Sequence, residues 1–521
     1  CNREEVISKA DKRKKKVQRA KISFVPLPVF EYVRSTLIYD IMRKFLIGIL
    51  SGMFAVAFAG SCDSPGNGTK PPPEGNPPVS EIESVVYLTK PDASAKFKTQ
   101  EGLVKKMSNP YLPAIVVDKD QKFQQVDGFG FTLTGGSAKL LWAMSSSARS
   151  QILEKLFGLA GDAIGTSYLR LSLGSSDLDE YTFSYNPEPG DVDMKHFDLG
   201  YDRKYLIPVL KIILGINPRI RLMASPWSAP VWMKTNNSTI GGRLKTEYYQ
   251  AYALYFVRYI QQMKAEGIVI DAVTVQNEPL HGGNNPSMEM SPAEQAPFIK
   301  DYLGPAFKAN HIETKIVIYD HNCDRTDYPL AVLADVQANG YIDGTAFHLY
   351  GGNIGAMSTL HNAYPDKSLY FTEQWIGAPA NFAGDIKWHM REVIIGSMRN
   401  WSKIALEWNL ASSPKLEPHT PGGCSNCLGA ITIDVNKVTL NPGYYIIAHA
   451  AKHIRPGSVR IESGYSGNPD DLPNVAFLTP DNKVIILVLN NIDTKQIFNI
   501  NINGTIFTSE LAAGEVATYV L

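Results

Sequence analysis

Between about residues 125 and 410 the chain alternates short apolar runs with helix-like stretches, and that alternation narrows the fold more than any other feature. The runs are 126–131, 166–173, 221–225, 272–276, 315–319, 344–348, 368–373 and 404–409. Helical patterns such as 148–159, 205–214, 246–266, 292–309, 329–339 and 385–400 lie between them. Eight strands, each followed by a helix or a long loop, predict an α/β fold, a (β/α)8 barrel over residues 121–435. A doubly wound open sheet would need a phosphate-cradling glycine pattern in its first turn. DGFGFTLTGG (127–136) has the glycines without the G-x-G-x-x-G spacing.

The flanks read differently. Residues 81–120 and 436–521 carry short β patterns, among them VIILVLN (484–490), IFNININ (497–503) and EVATYVL (515–521), broken by NPDD, TPDNK and NGT. They predict an antiparallel β-sandwich domain. The N-terminal strands join it, because they are too few to form a core alone. With 44% hydrophobic residues there is ample material for two cores.

The first 80 residues are not expected to fold. MRKFLIGILSGMFAVAFAGSC, residues 42–62, has a basic start, an apolar stretch too short to span a bilayer, and small residues before Cys62. It reads as a secretory signal. Its AGSC ending resembles the lipobox of bacterial lipoproteins, which implies acylation at Cys62, a membrane anchor, and an exported cell-envelope protein, an outer-membrane lipoprotein. Residues 63–80 are a Pro/Gly-rich tether. Residues 1–41 precede the signal, and translation is expected to start at Met42. Export implies an oxidising compartment, where Cys424 and Cys427 could form a local disulfide; zinc would need more ligands. Lys+Arg and Asp+Glu are both 51, which gives no reason to expect a nucleic-acid partner. The protein is expected to be a monomer.

VQNEPLHGGNN (275–285) puts a carboxylate, Glu278, where the fourth apolar run ends. LYFTEQW (369–375) puts Glu373 at the end of the seventh. In a barrel both strand ends open onto the face that holds the active site. A pair of carboxylates flanking one bond is what glycoside hydrolysis requires, about 5–5.5 Å apart if configuration is retained. One must donate a proton and the other must attack, so their environments must differ. Asn277 is placed to bond a sugar hydroxyl beside the reacting carbon. No H-x-H or H-E-x-x-H stands near a strand end, so neither metal nor cofactor is expected.

Longer stretches carry a family resemblance. VDGFGFTLTGGSA (126–138), YLRLSLGSSD (168–177), ASPWSAPVWMKTN (224–236), VTVQNEP (273–279), AFHLYGG (346–352), EWNLA (407–411) and PGYYIIAHAAKHIRPGSVRI (442–461) resemble glycoside hydrolase family 30. That family includes glucosylceramidases and β-1,6-glucanases. The resemblance implies a retaining β-glycosidase with Glu278 as acid/base and Glu373 as nucleophile. It implies sugar contacts from Asp127, Trp227, Asn277, Tyr350, Trp408 and Asn426, with Arg170 and His348 in support. The substrate it favours is β-1,6-glucan cleaved internally. Glucosylceramide is the alternative glycolipid substrate, xylans and fucosides stand behind it, and a non-catalytic glycan-binding lipoprotein is the rival of another class.

Overall fold

In the computed structural model the described residues are 84–101, 104–107 and 109–521. The eight apolar runs form eight parallel strands: β1 (Gly128–Leu133), β2 (Tyr168–Ser172), β3 (Arg221–Ser225), β4 (Ala272–Thr274), β5 (Lys315–Cys323), β6 (Ile342–Gly352), β7 (Ser368–Glu373) and β8 (Ser402–Asn409). They close into a barrel in that order, with β8 against β1. The strand set matches the sequence expectation. Ends shift by a few residues, and β5 runs on to Cys323, past the expected stop at Tyr319.

Period-two alternation sorts the strand side chains. Phe129, Phe131, Leu169, Leu171, Leu222, Ile316, Ile318 and Phe371 face outward into the core shared with the helices. Tyr168, Met223, Ala272, Val317, Ala346, Tyr370 and Ile404 fill the lumen. One inward step further along the strands come Arg170, Ser225, Thr274, His348 and Thr372, all buried. The alternation that packs the lumen therefore also lays a polar floor at its C-terminal end. Gly130 explains one glycine of the DGFG stretch: a Cβ there would lie 1.8 Å from the Tyr168 carbonyl oxygen. Only glycine lets β1 approach β2 so closely.

The chain ends form one ten-stranded sheet. Its order is Lys98–Gln100, Val85–Thr89, Val516–Val520, Val484–Leu489, Asn474–Leu478, Val459–Tyr465, Ala114–Gln125, Gln496–Ile502, Thr505–Leu511 and Lys105–Lys106. N-terminal strands thus belong to the sandwich domain, as expected. Every residue of Val484–Leu489 is buried. Ile486 and Val488 enter the sandwich core, while Ile485, Leu487 and Leu489 join the core shared with the barrel. That double burial is why VIILVL lacks polar alternation.

The expected boundary at 435/436 moves. Ile431–Asp434 pairs with Lys437–Leu440 on one side and with Ala411–Ser412 on the other. Helix Pro442–Ala451 then packs on β1 and β8. Its Pro sits in the first turn, where a missing N–H costs nothing, and its apolar residues Ile446, Ile447 and Ala450 need the barrel core. The sandwich strands resume only at Val459. The signal, the tether and Cys62 lie outside the described residues.

His449 ties that helix to both chain ends. Its Nε2 lies 2.8 Å from Thr89 Oγ1 and its Nδ1 2.8 Å from Thr518 Oγ1. Thr518 donates its own proton to the His449 carbonyl, so the Nδ1–H must donate to Thr518, and Nε2 accepts from Thr89. The ring is buried and neutral, and burial pushes its pKa down to about 3. Replacing His449 by Ala should cost about 1–3 kcal/mol, because the Thr89 hydroxyl proton loses its acceptor while Thr518 keeps its bond to the backbone carbonyl. The unfolded chain binds a proton here below about 6.5 while the native state does not, so stability should fall as pH drops below that value. Chemical denaturation between pH 7 and 4 should show a shallower fall in His449→Gln than in the parent.

Candidate active site

The chain leaves β4 through Val275–Gln276 and turns at Asn277 and Glu278. Glu278 adopts φ 44°, a left-handed conformation costly for a branched-off glutamate, and its N–H donates to the Asp320 carbonyl at 3.0 Å. Asp320 itself has φ 60° and its neighbour Tyr319 φ 71°. The ends of β4 and β5 are thus bent together, and local strain is spent on aiming two carboxylates. Glu373 ends β7, in register with His348 on β6.

Arg170 lies beneath them, completely buried on β2. Its Nη1 donates to Glu373 Oε2 at 2.5 Å, its Nη2 to Asn277 Oδ1 at 2.6 Å and to Asp320 Oδ2 at 2.8 Å, and its Nε to Ser225 Oγ at 3.1 Å. Asp320 also accepts from Thr274, from Thr372 and from His348 Nε2 at 3.0 Å. Burial works against the Asp320 charge, but Arg170 and these donors hold its carboxyl far below the usual range.

His348 bridges the system. Its Nδ1 stands 3.1 Å from Glu278 Oε1 and 3.9 Å from Glu373 Oε1. Burial disfavours its charge, yet Glu373 and the bonds to Asp320 and Glu278 raise its pKa to about 9. Burial also works against the Glu278 charge. The His348 bond, with the charges of His348, His321 and His281, nevertheless holds that carboxyl below its ordinary value. Glu373 moves the other way: burial, with Glu278 and Asp320 repelling it, outweighs the pull of His348 and Arg170. Tyr350 donates to Glu373 Oε1 at 2.9 Å.

One oxygen of each glutamate and a ring nitrogen of His348 lie within 4.8 Å of one another. These are metal-ligand types, but an imidazolium has no lone pair to give a cation. The spacing suits the closer of the two carboxylate arrangements that cleave glycosides.

A cavity of about 180 Å³ opens above the floor. Trp227 and Trp408 wall it, ring centroids 5.2 Å apart, with Arg170 4.8 Å from the Trp227 ring. Cys424 and Cys427 are disulfide-bonded and line it, while Asn426 between them is exposed and does not. Trp375 and Asn284 complete the rim.

Asp127 is a correction. It precedes β1, at the N-terminal end of the barrel, and pairs with Arg221 at 2.7 Å and Lys403 at 3.5 Å. A residue at a strand's start cannot reach a cavity at its end. The carboxylate that does line the cavity is Asp177, in the loop after β2. Its Oδ2 accepts from the Cys424 N–H, and its buried Oδ1 meets no partner among the described residues. Burial, then the nearby Glu373, pushes its pKa up to about 7. Asp177 and Asp320 were both passed over in the sequence, although each follows an apolar run as Glu278 does.

Because its folded pKa is raised, His348 contributes stability that is complete below about 6.5 and is lost as pH climbs through about 9. Asp320→Asn should lower that upper value, read by imidazole NMR. It should also cost about 3–5 kcal/mol by leaving buried Arg170 short of a counter-charge. An unchanged His348 titration would show that Asp320 does not control the site.

Known proteins fit this geometry. Residues 126–454 match the glycosyl hydrolase family 30 TIM-barrel domain and residues 457–519 the glycosyl hydrolase family 30 beta sandwich domain. The chain is 32% identical over 426 residues to endo-1,6-beta-D-glucanase neg1 of Aspergillus fumigatus, covering 76% of this chain and 85% of that one. It is 28% identical over 408 residues to lysosomal acid glucosylceramidase of Mus musculus, covering 72% and 77%. The solved structure of the endo-beta1,6-glucanase BT3312 superposes with a TM-score of 0.78 at 34% identity, covering 84% of this chain and 99% of that one. With its barrel and its sandwich both matched, this chain belongs to glycosyl hydrolase family 30.

Proposed function

We propose that the chain is an endo-β-1,6-glucanase that cleaves with retention of configuration. The observation that carries the mechanism is the placement of Glu278 and Glu373 within 4.8 Å across a tryptophan-walled cavity, with His348 between them. Glu373 is the nucleophile. Its oxygens are oriented by Arg170 and Tyr350, and its raised pKa makes it a more basic attacking group. Glu278 and His348 together carry one proton. Asp320 only accepts, so Nε2 keeps its hydrogen throughout, and the mobile proton moves within the 3.1 Å Nδ1–Glu278 bond.

In the first step Glu373 forms a bond to the anomeric carbon as the glycosidic bond breaks. The shared proton passes through Glu278 to the leaving oxygen. Attack consumes the Glu373 charge, the strongest influence raising His348, so the pair then holds its proton less tightly and Glu278 is left as a carboxylate. In the second step Glu278 takes a proton from water, the water oxygen bonds the anomeric carbon, and Glu373 leaves. Asp177, with a free oxygen at the cavity wall, holds sugar hydroxyls.

The choice of glucan over glycolipid rests on similarity. Three fungal relatives named as endo-1,6-β-D-glucanases are 31–32% identical, while those named as glucosylceramidases are 26–29% identical. Residues 80–521 incubated with β-1,6-glucan should release oligosaccharides, and Glu373→Gln should cut the rate at least about a thousandfold. Glucose released from glucosylceramide, with the glucan untouched, would reverse the substrate choice.

The sequence pattern at 42–62 supports export with a lipid anchor at Cys62. Cells expressing the full chain should incorporate labelled palmitate into it, and Cys62→Ser should abolish the label. Undiminished labelling in the variant would remove the anchor from this reading.

A further inference from the structure

The catalytic cavity has room for little more than one hexosyl unit, yet internal cleavage needs the chain held on both sides of the broken bond. A second depression of about 210 Å³ lies beside the cavity and is built from the same three loops. Ser175 stands two residues before Asp177, Ser228 follows Trp227, and Pro286 lies two residues past Asn284. None of the residues lining it carries a charge. Phe183 and Val231 supply apolar faces, and the hydroxyls of Thr182 and Ser184 meet no protein partner among the described residues. This is the chemistry of a neutral saccharide site, since a phosphate or an anionic headgroup would find no cation on its walls.

The groove is also firm. Lys234, fully buried and paired with no carboxylate among the described residues, donates to Ser228 Oγ at 2.9 Å, the Thr239 carbonyl at 3.3 Å and the Ser287 carbonyl at 2.7 Å. It ties the loops after β3 and β4 together beneath the groove. On the outer side Phe183 packs on Tyr201 at 5.0 Å, and Tyr201 on Tyr181 at 5.3 Å, which leaves Tyr181 half exposed as an aromatic step at the groove's end.

The position says which part of the substrate lies there. Glu278 follows β4 and Glu373 ends β7, on opposite sides of the ring. The groove is walled by the loops after β2, β3 and β4, on the side of the proton donor. We propose that this groove binds the glucosyl units on the leaving-group side of the cleaved bond, with Phe183 and Val231 as its apolar contacts. The assignment rests on the glucanase reading above.

The test compares purified parent, Phe183→Ala and Val231→Glu on β-glucosyl fluoride, whose small leaving group puts nothing in the groove, and on β-1,6-linked gluco-oligosaccharides of increasing length. In the parent kcat/KM should rise with length. Each variant should flatten that rise and lose about tenfold on the longest substrate, while the glucosyl fluoride is cut within about twofold of the parent rate. Val231 is 38% exposed at the surface, so its variant decides the matter if Phe183→Ala fails to fold. Variants that keep the parent's length dependence would overturn the groove alone. A parent that cuts the glucosyl fluoride but no β-1,6-linked oligosaccharide would overturn the substrate reading, and the groove with it.

Discussion

Burying a guanidinium costs several kcal/mol unless carboxylates lie close enough to repay it, and Arg170 is buried completely. Two carboxylates and two neutral acceptors meet it, from β3, the turn after β4, β5 and β7. Each of these residues reaches Arg170 only if the strands stand in the right stagger. The same bonds fix what the site can do. Glu373 is oriented by Nη1, Asn277 by Nη2, and Asp320, held ionised by the same cation, fixes the hydrogen of His348. The hydrogen bond between His348 and Glu278 is therefore set by a cation that Glu278 does not touch.

Much of this was legible in the chain, and the failures share a cause. Strand ends are marked by a change from apolar to polar residues, so Glu278 and Glu373 stood out. Arg170 stood out as a charge inside an apolar run. The sandwich was visible in its short β patterns, including VIILVLN, which lacks alternation because it buries both faces. A strand's direction relative to a cavity is a property of the closed barrel, however. Asp127 lies next to conspicuous glycines, but at a strand start, where it neutralises Arg221 and Lys403. Asp177 and Asp320 follow strands β2 and within β5 and were hidden by the company they keep, a serine-rich loop and a strand that continues past its expected end. Their roles come from three-dimensional closeness, which no spacing along the chain encodes.

The His348 arrangement has a counterpart in the division between floor and loops. Residues of the floor lie on strands and are buried, so their geometry is held by the barrel itself. Asp177, Trp375, Asn284 and the Cys424–Cys427 bridge come from loops. Bond cleavage can thus stay constant while the loops change what is recognised, which suits a fold whose relatives carry names as different as glucanase and glucosylceramidase.

The sandwich has a temporal consequence. Its strand Val85–Thr89 lies against Val516–Val520, so a strand made early pairs with one made much later. His449 waits for the same event, since its two threonines come from those two strands. The early strand exposes an unpaired edge until Val516–Val520 has been made, and the sheet can close only then. A circularly permuted chain that joins the two strands by a short hairpin would remove that wait, and its sandwich would become a local structure that could form ahead of the barrel.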